Sequence, residues 1–260
     1  MSQLYSIPEQ AHILKQLNTV FQTYKSSKAE IRPHFMLTGP SGSGKSVNIQ
    51  ALAKQHKIDF IEINAAQLTC EGVSGNSLSK ALAPLRELQE GLTVVFVDEF
   101  DKLFIRGSTN SELAHDTTLQ VQNEFLKLLE ADSTAVFGDY GKYINVDTSR
   151  VLYVFAGAFN GAQEVNQTKL KSFGIRTEFL GRVNLCFNMP PIEISTYMKV
   201  LENHPLIKAY LKVYKEFDFK KVVKDLKTLL EPQLEQNIIG LRLISSVIHN
   251  YFINELNKDK

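Results

Sequence analysis

The feature that most constrains this chain is the octapeptide G-P-S-G-S-G-K-S at residues 39–46, which follows the apolar segment 35–37. Its glycines tolerate positive φ angles, so the backbone can turn several N–H groups toward one point. The pattern G-x-x-x-x-G-K-[ST] between a strand and a helix is the phosphate-binding loop of nucleotide-binding proteins. A chance match in a chain of this length is on the order of one per cent. The sequence therefore predicts a strand, a phosphate loop and a helix that begins near Lys45.

Each part of this loop has an expected role. The inward N–H groups and the positive end of the helix dipole suit an anion. Lys45 is expected to reach the β- and γ-phosphates, and the Ser46 hydroxyl is expected to ligate Mg²⁺. The expected nucleotide contacts in the loop are Gly39, Pro40, Ser41, Gly42, Ser43, Gly44, Lys45 and Ser46. ATP with Mg²⁺ is the predicted ligand.

A second motif follows the apolar run V-V-F-V at residues 94–97, which ends in D-E-F-D at residues 98–101. Acids at the carboxyl end of a buried parallel strand face the ligand crevice of an α/β sheet. Taken alone, such acids more often belong to a solvated loop. After a phosphate loop they predict a Walker B site, in which Asp98 holds Mg²⁺ and Glu99 polarises the attacking water. Together the two motifs predict an enzyme that hydrolyses ATP.

The remaining pattern predicts an α/β fold, a parallel sheet flanked by helices, because short β-rich runs alternate with helical spacing. The predicted strands are 35–37, 59–63, 93–97, 151–155 and, as a plausible fifth, 183–187, and the predicted crossover helices are 45–55, 77–89 and 119–129. Segments 134–137 and 142–146 predict a β-hairpin around a Gly/Asp turn.

From about Ile194 onward the strand signal disappears, and the predicted helices are 197–201, 206–214, 219–230 and 241–256. We therefore predict a large α/β nucleotide-binding domain at residues 1–190 and a small helical domain at residues 191–260.

Composition excludes some classes of function. The chain has 29 basic and 28 acidic residues, so the excess of positive charge typical of sequence-independent nucleic-acid binding is missing, although a local basic patch stays possible. Cys70 and Cys186 lie far apart without metal-site spacing, which favours reduced thiols. No charged leader and no run of about 20 apolar residues is visible, so we expect a cytoplasmic protein without a membrane span.

Several stretches together resemble the AAA+ ATPases, and within them the ClpX/HslU branch of ATP-dependent protein unfoldases. The resemblance covers roughly residues 6–256 and adds to the two motifs D-E-F-D-K at 98–102, V-D-T-S at 146–149, A-G-A-F at 156–159, E-F-L-G-R at 178–182 and G-L-R at 240–242. It implies a P-loop NTPase sheet followed by a small α-helical lid, and a homo-oligomeric ring that is hexameric in the family.

The resemblance also implies roles for single residues. Arg182 resembles the arginine finger supplied to the ATP of a neighbouring subunit, with Arg176 a weaker candidate, and a surface arginine is the plainer alternative. Arg242 resembles the second sensor, for which a helix-surface salt bridge is the alternative. Residues 155–157 offer no polar side chain for a first sensor, so Asn160 is assigned as the nearest one. Ile7 resembles the residue that packs on adenine.

Three departures from the family bear on the substrate. The loop that grips polypeptide in the ring's pore carries an aromatic residue in the family, whereas here it contains Gly72, Val73, Ser74 and Gly75. Valine offers less contact area than an aromatic ring, so we expect a weaker grip. Tyr140 in the hairpin is a further pore candidate, with an ordinary exposed turn tyrosine as the alternative. The stretch 159–176 lacks the family's protease-docking insertion, and we expect a chain without the zinc-binding domain of one relative, because the sequence begins almost at the ATPase core.

Two functional hypotheses follow. The first is an ATP-hydrolysing, Clp-like ring that remodels or translocates a protein substrate without a docked protease. The alternative is an ATP-dependent loader that acts on DNA or on a macromolecular complex, which the missing pore aromatic favours. A switch that binds ATP without hydrolysing it is less consistent with intact Lys45, Asp98 and Glu99. His115 is interpreted as a loop residue and not as a base.

Overall fold

The structure, a computed structural model, describes residues 7–69, 75–88, 90–104 and 112–258, and it gives the backbone alone for 112–118 and 258. The strands are β1 Phe35–Thr38, β2 Asp59–Asn64, β3 Leu68–Thr69, β4 Asn76–Ser77, β5 Thr93–Asp98, β6 Ser133–Phe137, β7 Tyr143–Asp147, β8 Val151–Gly157 and β9 Leu185–Asn188. Five of them form one parallel sheet in the order β2-β5-β8-β1-β9. The predicted α/β P-loop fold is confirmed.

Helices cover this sheet and continue beyond it. They are α1 Ala11–Ser26, α2 Lys45–His56, α3 Leu78–Ala81, α4 Glu112–Glu130, α5 Gln167–Ser172, α6 Thr177–Arg182, α7 Ile194–Glu202, α8 Pro205–Val213, α9 Phe219–Leu234 and α10 Arg242–Lys258. No helix in the described ranges combines the length and the apolar character that crossing a bilayer requires.

The central strands are continuous apolar runs because both faces of the sheet are covered. All seven residues of β8 are buried. Alternate residues point to opposite faces, so Val95 and Val97 join one hydrophobic cluster while Val94 and Phe96 join a second. This packing fixes the carboxyl ends of β1, β5 and β8 side by side at one edge of the sheet, where the predicted site residues follow.

Helices α7 to α10 enclose a hydrophobic cluster of their own. Its fully buried members include Leu201, Ile207, Leu226, Ile244 and Phe252. We call these four helices the lid. The domain boundary between residues 190 and 191 stays a prediction. Every buried residue of the lid cluster lies C-terminal to that boundary.

Some predicted elements differ from the structure. The single helix expected at 77–89 is wrong, because the four-residue helix α3 is followed by a 3-10 turn at Ala83–Glu87 that contains Pro84. Proline lacks the N–H that a helix interior needs. The fifth strand lies at Leu185–Asn188, two residues later than its predicted start, and α4 begins at Glu112. Helix α1 is absent from our sequence prediction.

The predicted hairpin is confirmed as the antiparallel pair β6–β7, in which Thr134 pairs with Val146. A second small pair, β3–β4, is parallel and brackets the predicted pore loop.

Candidate nucleotide-binding and catalytic site

The phosphate loop connects β1 to α2, as predicted. Gly39, Gly42 and Gly44 have φ values of 148°, 68° and 86°, conformations that side chains with a Cβ adopt at a cost. Gly44 is the residue before α2, so the loop leads directly into the first turn of that helix. The first N–H groups of a helix lack partners within the helix, and they therefore offer an anion both hydrogen bonds and the positive dipole end.

Lys45 supplies the cation at the bottom of this loop. Its side chain is buried, and Nζ donates to the carbonyl oxygens of Gly39 at 2.8 Å and Pro40 at 3.0 Å. Burial lowers the pKa of Lys45, the carboxylates of Asp98 and Asp101 act against this, and Arg242 lowers it further. A bound polyphosphate would restore the preference for the ammonium form, because a nearby negative charge favours a cation. The site is therefore matched to an anion.

The fit to a phosphate is supported by a buried polar atom. The hydroxyl of Ser43 is buried, and no described residue offers it a hydrogen-bond partner. Buried polar groups normally have a partner, so this hydroxyl indicates a group that binds in the loop. The loop borders a cleft of about 470 Å³, which is lined by Ile7, Ser41, Gly42, Gly44, Lys45, Ser46, Val47, Asn48, Asp98, Glu99, Asp101, Lys102, Gly157, Ala158, His204, Pro205, Leu241, Arg242 and Ser245. Of the predicted contacts in the loop, Gly39, Pro40 and Ser43 are not among these lining residues.

The two acids at the end of β5 enter the cleft together. Asp98 is the last residue of the strand, and its Oδ1 accepts a hydrogen bond from the N–H of Glu99 at 2.8 Å. Glu99 has φ +54° and ψ +29°, a left-handed conformation that costs a residue with a Cβ roughly 1–2 kcal/mol. Backbone strain of this kind is typical of functional sites, where it orients a side chain. Glu99 and Lys45 line the same cleft.

A magnesium ion fits the oxygen donors at this place. Ser46 and Asp98 both line the cleft, and Mg²⁺ prefers hydroxyl, carboxylate and phosphate oxygens. In the described part of the chain, no three His, Cys, Asp or Glu side chains form a metal site by themselves. The remaining ligands would therefore come from nucleotide phosphates and water.

The 3-10 turn Phe100–Leu103, which follows β5, contains an acid to which the sequence motifs gave no role. Asp101 is 1% exposed, and its Oδ2 accepts from the N–H of Phe159 at 3.2 Å and from Lys102 Nζ at 3.2 Å. Asp101 thus holds the end of β8 against the turn that follows Glu99. Asn160, our candidate first sensor, is exposed and is not among the residues that line the cleft. The geometry does not bring Asn160 to the other site residues.

The lid closes the other side of the cleft. Arg242 begins α10, lines the cleft and lies close enough to Lys45 to lower its pKa. The segment before Arg242 contacts the phosphate loop directly, because the N–H of Leu241 donates to the carbonyl of Gly42 at 3.2 Å. Arg242 and Lys45 thus line one cleft, and the action of Arg242 on the γ-phosphate stays a prediction.

His204 and Ser245, which no sequence motif singled out, also line the cleft from the lid. His204 Nδ1 accepts from the N–H of Leu206 at 3.3 Å, so Nε2 carries the proton of the neutral ring and faces the Ser245 hydroxyl at 3.4 Å. Burial lowers the pKa of His204, and His249 contributes to the decrease. The neutral form is therefore favoured. A histidine before a proline at a helix start was the available sequence signal.

Gly240→Ala tests the contact between the lid and the phosphate loop. A Cβ on Gly240 would lie 2.6 Å from the carbonyl oxygens of Gly42 and Ser41, so the lid has to move away. We expect the KM for ATP to rise about tenfold, which corresponds to the loss of one net hydrogen bond. Gly141→Ala is the matched control, because Gly141 has a similar φ of +72° against +62° and a Cβ there meets no described atom within 4 Å. Equal KM values in steady-state ATPase assays would contradict the contact.

The two candidate finger arginines lie at opposite ends of α6, and neither lines the cleft of its own chain. Arg182 ends the helix, pairs with Glu130 and donates to the carbonyl of Glu178 at 3.1 Å. Arg176 precedes the helix and donates to Asn123 Oδ1 at 2.6 Å. A residue that serves a neighbour's nucleotide is expected outside its own cleft, so the placement of Arg182 is compatible with that prediction and does not test it.

The predicted substrate loops are described in part. Gly72, Val73 and Ser74 lie outside the described residues, whereas Gly75 follows them with a φ of 143°. Tyr140 is at the tip of the β6–β7 hairpin, where its side chain is 99% exposed and its φ is +56°. A large aromatic side chain in this position is available to a partner.

Comparison with known proteins gives the family. Residues 35–177, over half of the chain, match the ATPase family associated with various cellular activities (AAA). The chain belongs to the AAA family of ATPases. The matched residues of this AAA ATPase contain the phosphate loop, the acid pair and Arg176, whereas the lid with Arg242 lies beyond them.

Curated relatives of this AAA ATPase carry the name ATP-dependent Clp protease ATP-binding subunit ClpX. The one from Porphyromonas gingivalis is 25% identical over 284 residues, which cover 91% of the chain and 69% of the relative. The one from Bacteroides thetaiotaomicron is 24% identical, and the match covers 86% of the chain and 65% of the relative. The one from Treponema denticola is 28% identical, and the match covers 59% of the chain and 41% of the relative. The chain is thus a ClpX-like AAA+ ATPase that spans between 41% and 69% of the length of these relatives.

Proposed function

We propose that this AAA+ ATPase hydrolyses ATP in a homo-oligomeric ring and uses the energy to remodel or translocate a protein substrate without a docked protease. The observation that carries the proposal is a single cleft into which Lys45, Asp98, Glu99 and Arg242 all project. Phosphoryl transfer to water uses a cation at the phosphates and a group that positions the water, and Arg242 adds a second cation from the lid.

The chemistry assigns one role to each group. Lys45 neutralises charge on the β- and γ-phosphates, and Ser46 and Asp98 would hold Mg²⁺, which spreads the developing charge of the transferring phosphoryl group. Glu99 accepts a hydrogen bond from the attacking water and aligns it. Arg242 connects the γ-phosphate to the lid, so that the cleft closes when ATP is bound. The cleft excludes water best in that closed state.

The ring is supported by the position of Arg182. Its guanidinium is on the surface of α6, paired with Glu130, and does not line the cleft of its own chain. We propose that it enters the ATP site of an adjacent copy, and that the ring is a hexamer as in the ClpX/HslU branch.

A protein substrate without a protease is supported by two loops. Residues 159–176 form a 3-10 turn at Phe159–Gly161 and the short helix α5, so they offer no long docking loop. The pore loop has Val73 where the family has an aromatic residue, and the exposed Tyr140 could supply aromatic contact area from the hairpin instead. The absence of an aromatic residue at position 73 also favours the second candidate, a loader that acts on DNA or on a larger complex.

Substrate capture distinguishes the two candidates. We expect the chain with ATP and Mg²⁺ to release phosphate and to elute from a sizing column as an assembly larger than a monomer. Immobilised chain with a slowly hydrolysed ATP analogue should retain a protein substrate that ADP releases. A chain that stays monomeric with ATP would contradict the ring. Retention of DNA that falls steeply as salt rises, without protein capture, would favour the loader.

A further inference from the structure

Glu9 connects the segment before α1 to the first helix of the lid. Its Oε1 accepts two hydrogen bonds, from the N–H of Glu193 at 3.0 Å and from the hydroxyl of Thr196 at 2.8 Å. Glu193 is the N-cap residue of α7, and its own side chain makes no capping bond. The N-terminus of α7 is thus capped by a carboxylate that lies 184 residues earlier in the chain.

The neighbours of Glu9 contact the nucleotide site. Gln10 is fully buried, and its Nε2 donates to the carbonyl of Ser43 in the phosphate loop at 2.9 Å. Its Oε1 accepts from Asn48, which lines the cleft, at 3.4 Å. Ile7, two residues before Glu9, is buried and also lines the cleft. The segment 7–10 therefore contacts the cleft, the lid and the phosphate loop within four residues.

The bonds of Glu9 belong to an ionised carboxylate. Burial acts to raise the pKa of Glu9, but hydrogen bonds from its own backbone, Thr196 and Glu193, with the charge of Lys199, lower it below the usual value. Hydrogen bonds to a charged acceptor are about twice as strong as neutral ones. The other oxygen, Oε2, is buried, and no described group donates to it, so the contacts of the carboxylate with the lid are the two bonds to Oε1.

We propose that Glu9 is a positioning residue of the ATPase, which holds α7 so that the lid residues His204 and Arg242 face Lys45. This inference rests on the proposed ATP hydrolysis. Because Ile7 and Gln10 belong to the same short segment, a nucleotide that contacts Ile7 acts on the element that fixes the lid. The angle of the lid and the occupancy of the cleft are thereby coupled.

Three variants test this role in the full chain. Glu9→Ala removes both bonds, and we expect the KM for ATP to rise about tenfold with a smaller change in kcat. Glu9→Gln keeps a carbonyl oxygen that accepts from both donors, and it should recover most of the loss. Thr196→Val removes one of the two donors, so it should raise the KM for ATP less than Glu9→Ala does. When Glu9 is already replaced by Ala, adding Thr196→Val should change the KM no further. Additive effects, or an unchanged KM in Glu9→Ala, would overturn the proposal.

Amide hydrogen exchange gives a readout that needs no hydrolysis. The N–H of Glu193 should exchange faster in Glu9→Ala than in the unchanged chain, and ADP should protect it in the unchanged chain only. If exchange at Glu193 is the same in both, the positioning role fails. If the exchange results hold but the unchanged chain releases no phosphate from ATP, the proposed function fails and the tie between Glu9 and α7 stands. A lower Tm in Glu9→Ala with normal KM would assign Glu9 to stability alone.

Discussion

Arg182→Ala is expected to lower the ATPase rate of the assembled chain by about 10³-fold or more, the range typical of an arginine finger. The physical reason is that a guanidinium stabilises charge that develops on the transferring phosphoryl group, and the proposed ring supplies it from the adjacent subunit. Steady-state phosphate release at a chain concentration well above that needed for assembly is the measurement.

The ion pair of Arg182 provides the matched control. Arg182 pairs with Glu130, and both side chains are about two-fifths exposed, so the pair itself contributes little to stability. Glu130→Ala removes the same pair and keeps the arginine. We expect near-normal ATPase for Glu130→Ala and an unchanged Tm for both variants. Equal losses in the two variants would assign Arg182 to the structure of α6.

Mixing identifies the subunit on which Arg182 acts. An Arg182→Ala chain retains its own cleft, whereas a Lys45→Ala chain retains its finger. If the finger acts in trans, mixtures should hydrolyse ATP faster than either variant alone, because some clefts with Lys45 then adjoin an intact Arg182. Mixtures that are no faster than the sum of their parts would contradict the shared site.

The packing of α6 explains why the finger should be sensitive to its own subunit. Phe179, on the same helix as Arg182, stacks on Phe100 with ring centroids 5.1 Å apart, and Phe100 follows Glu99 directly. The ring centroids of Phe100 and Phe155, a residue of β8, are 4.7 Å apart. The residue after Glu99 thus packs directly against the helix that ends in Arg182. We expect a substitution that changes this packing, such as Phe100→Leu, to disturb both Glu99 and Arg182.

The fold was predictable where local signals are strong. Parallel strands buried on both faces give unbroken apolar runs, so β5 and β8 are visible in the sequence. The single helix predicted at 77–89 was wrong because the apolar spacing continues past Pro84, although proline lacks the N–H that a helix interior needs. Helix α1 has buried residues at helical spacing, Leu17, Phe21 and Tyr24, so the signal for this helix is present in the sequence although the helix was not predicted.

The residues alone predicted the site where they are contiguous, whereas Ile7 and Arg242, which also line the cleft, came from the family resemblance. The phosphate loop and the pair Asp98–Glu99 are short motifs whose function depends on nearby backbone. Glu9 and Thr196 are 187 positions apart, and His204 and Ser245 meet across the lid, so their contacts depend on how helices pack. The unusual φ of Glu99 is likewise a tertiary property, since neither its neighbours nor its type require it.

Glu99→Gln is expected to lower kcat by about 10² to 10⁴-fold while ATP still binds, because an amide cannot accept the proton of the attacking water. Glutamine has the same shape and meets the same backbone strain at φ +54°, so the fold and the cleft should be retained. Glu62→Gln is the control: burial and, next to it, the carboxylate of Asp98 raise the pKa of Glu62, which does not line the cleft. Each change removes one negative charge near Asp98.

The comparison separates proton transfer from simple electrostatics. If Glu99 acts as the base, only Glu99→Gln loses turnover, while the Kd of a fluorescent ATP analogue stays within about threefold of normal, less than 1 kcal/mol. If its charge alone matters, Glu62→Gln should shift kcat in the same direction. Full turnover in Glu99→Gln would remove Glu99 from its role.

A variant that holds ATP without hydrolysing it should also stay assembled and retain its substrate, which makes it the bait best suited to identify the partner by pull-down.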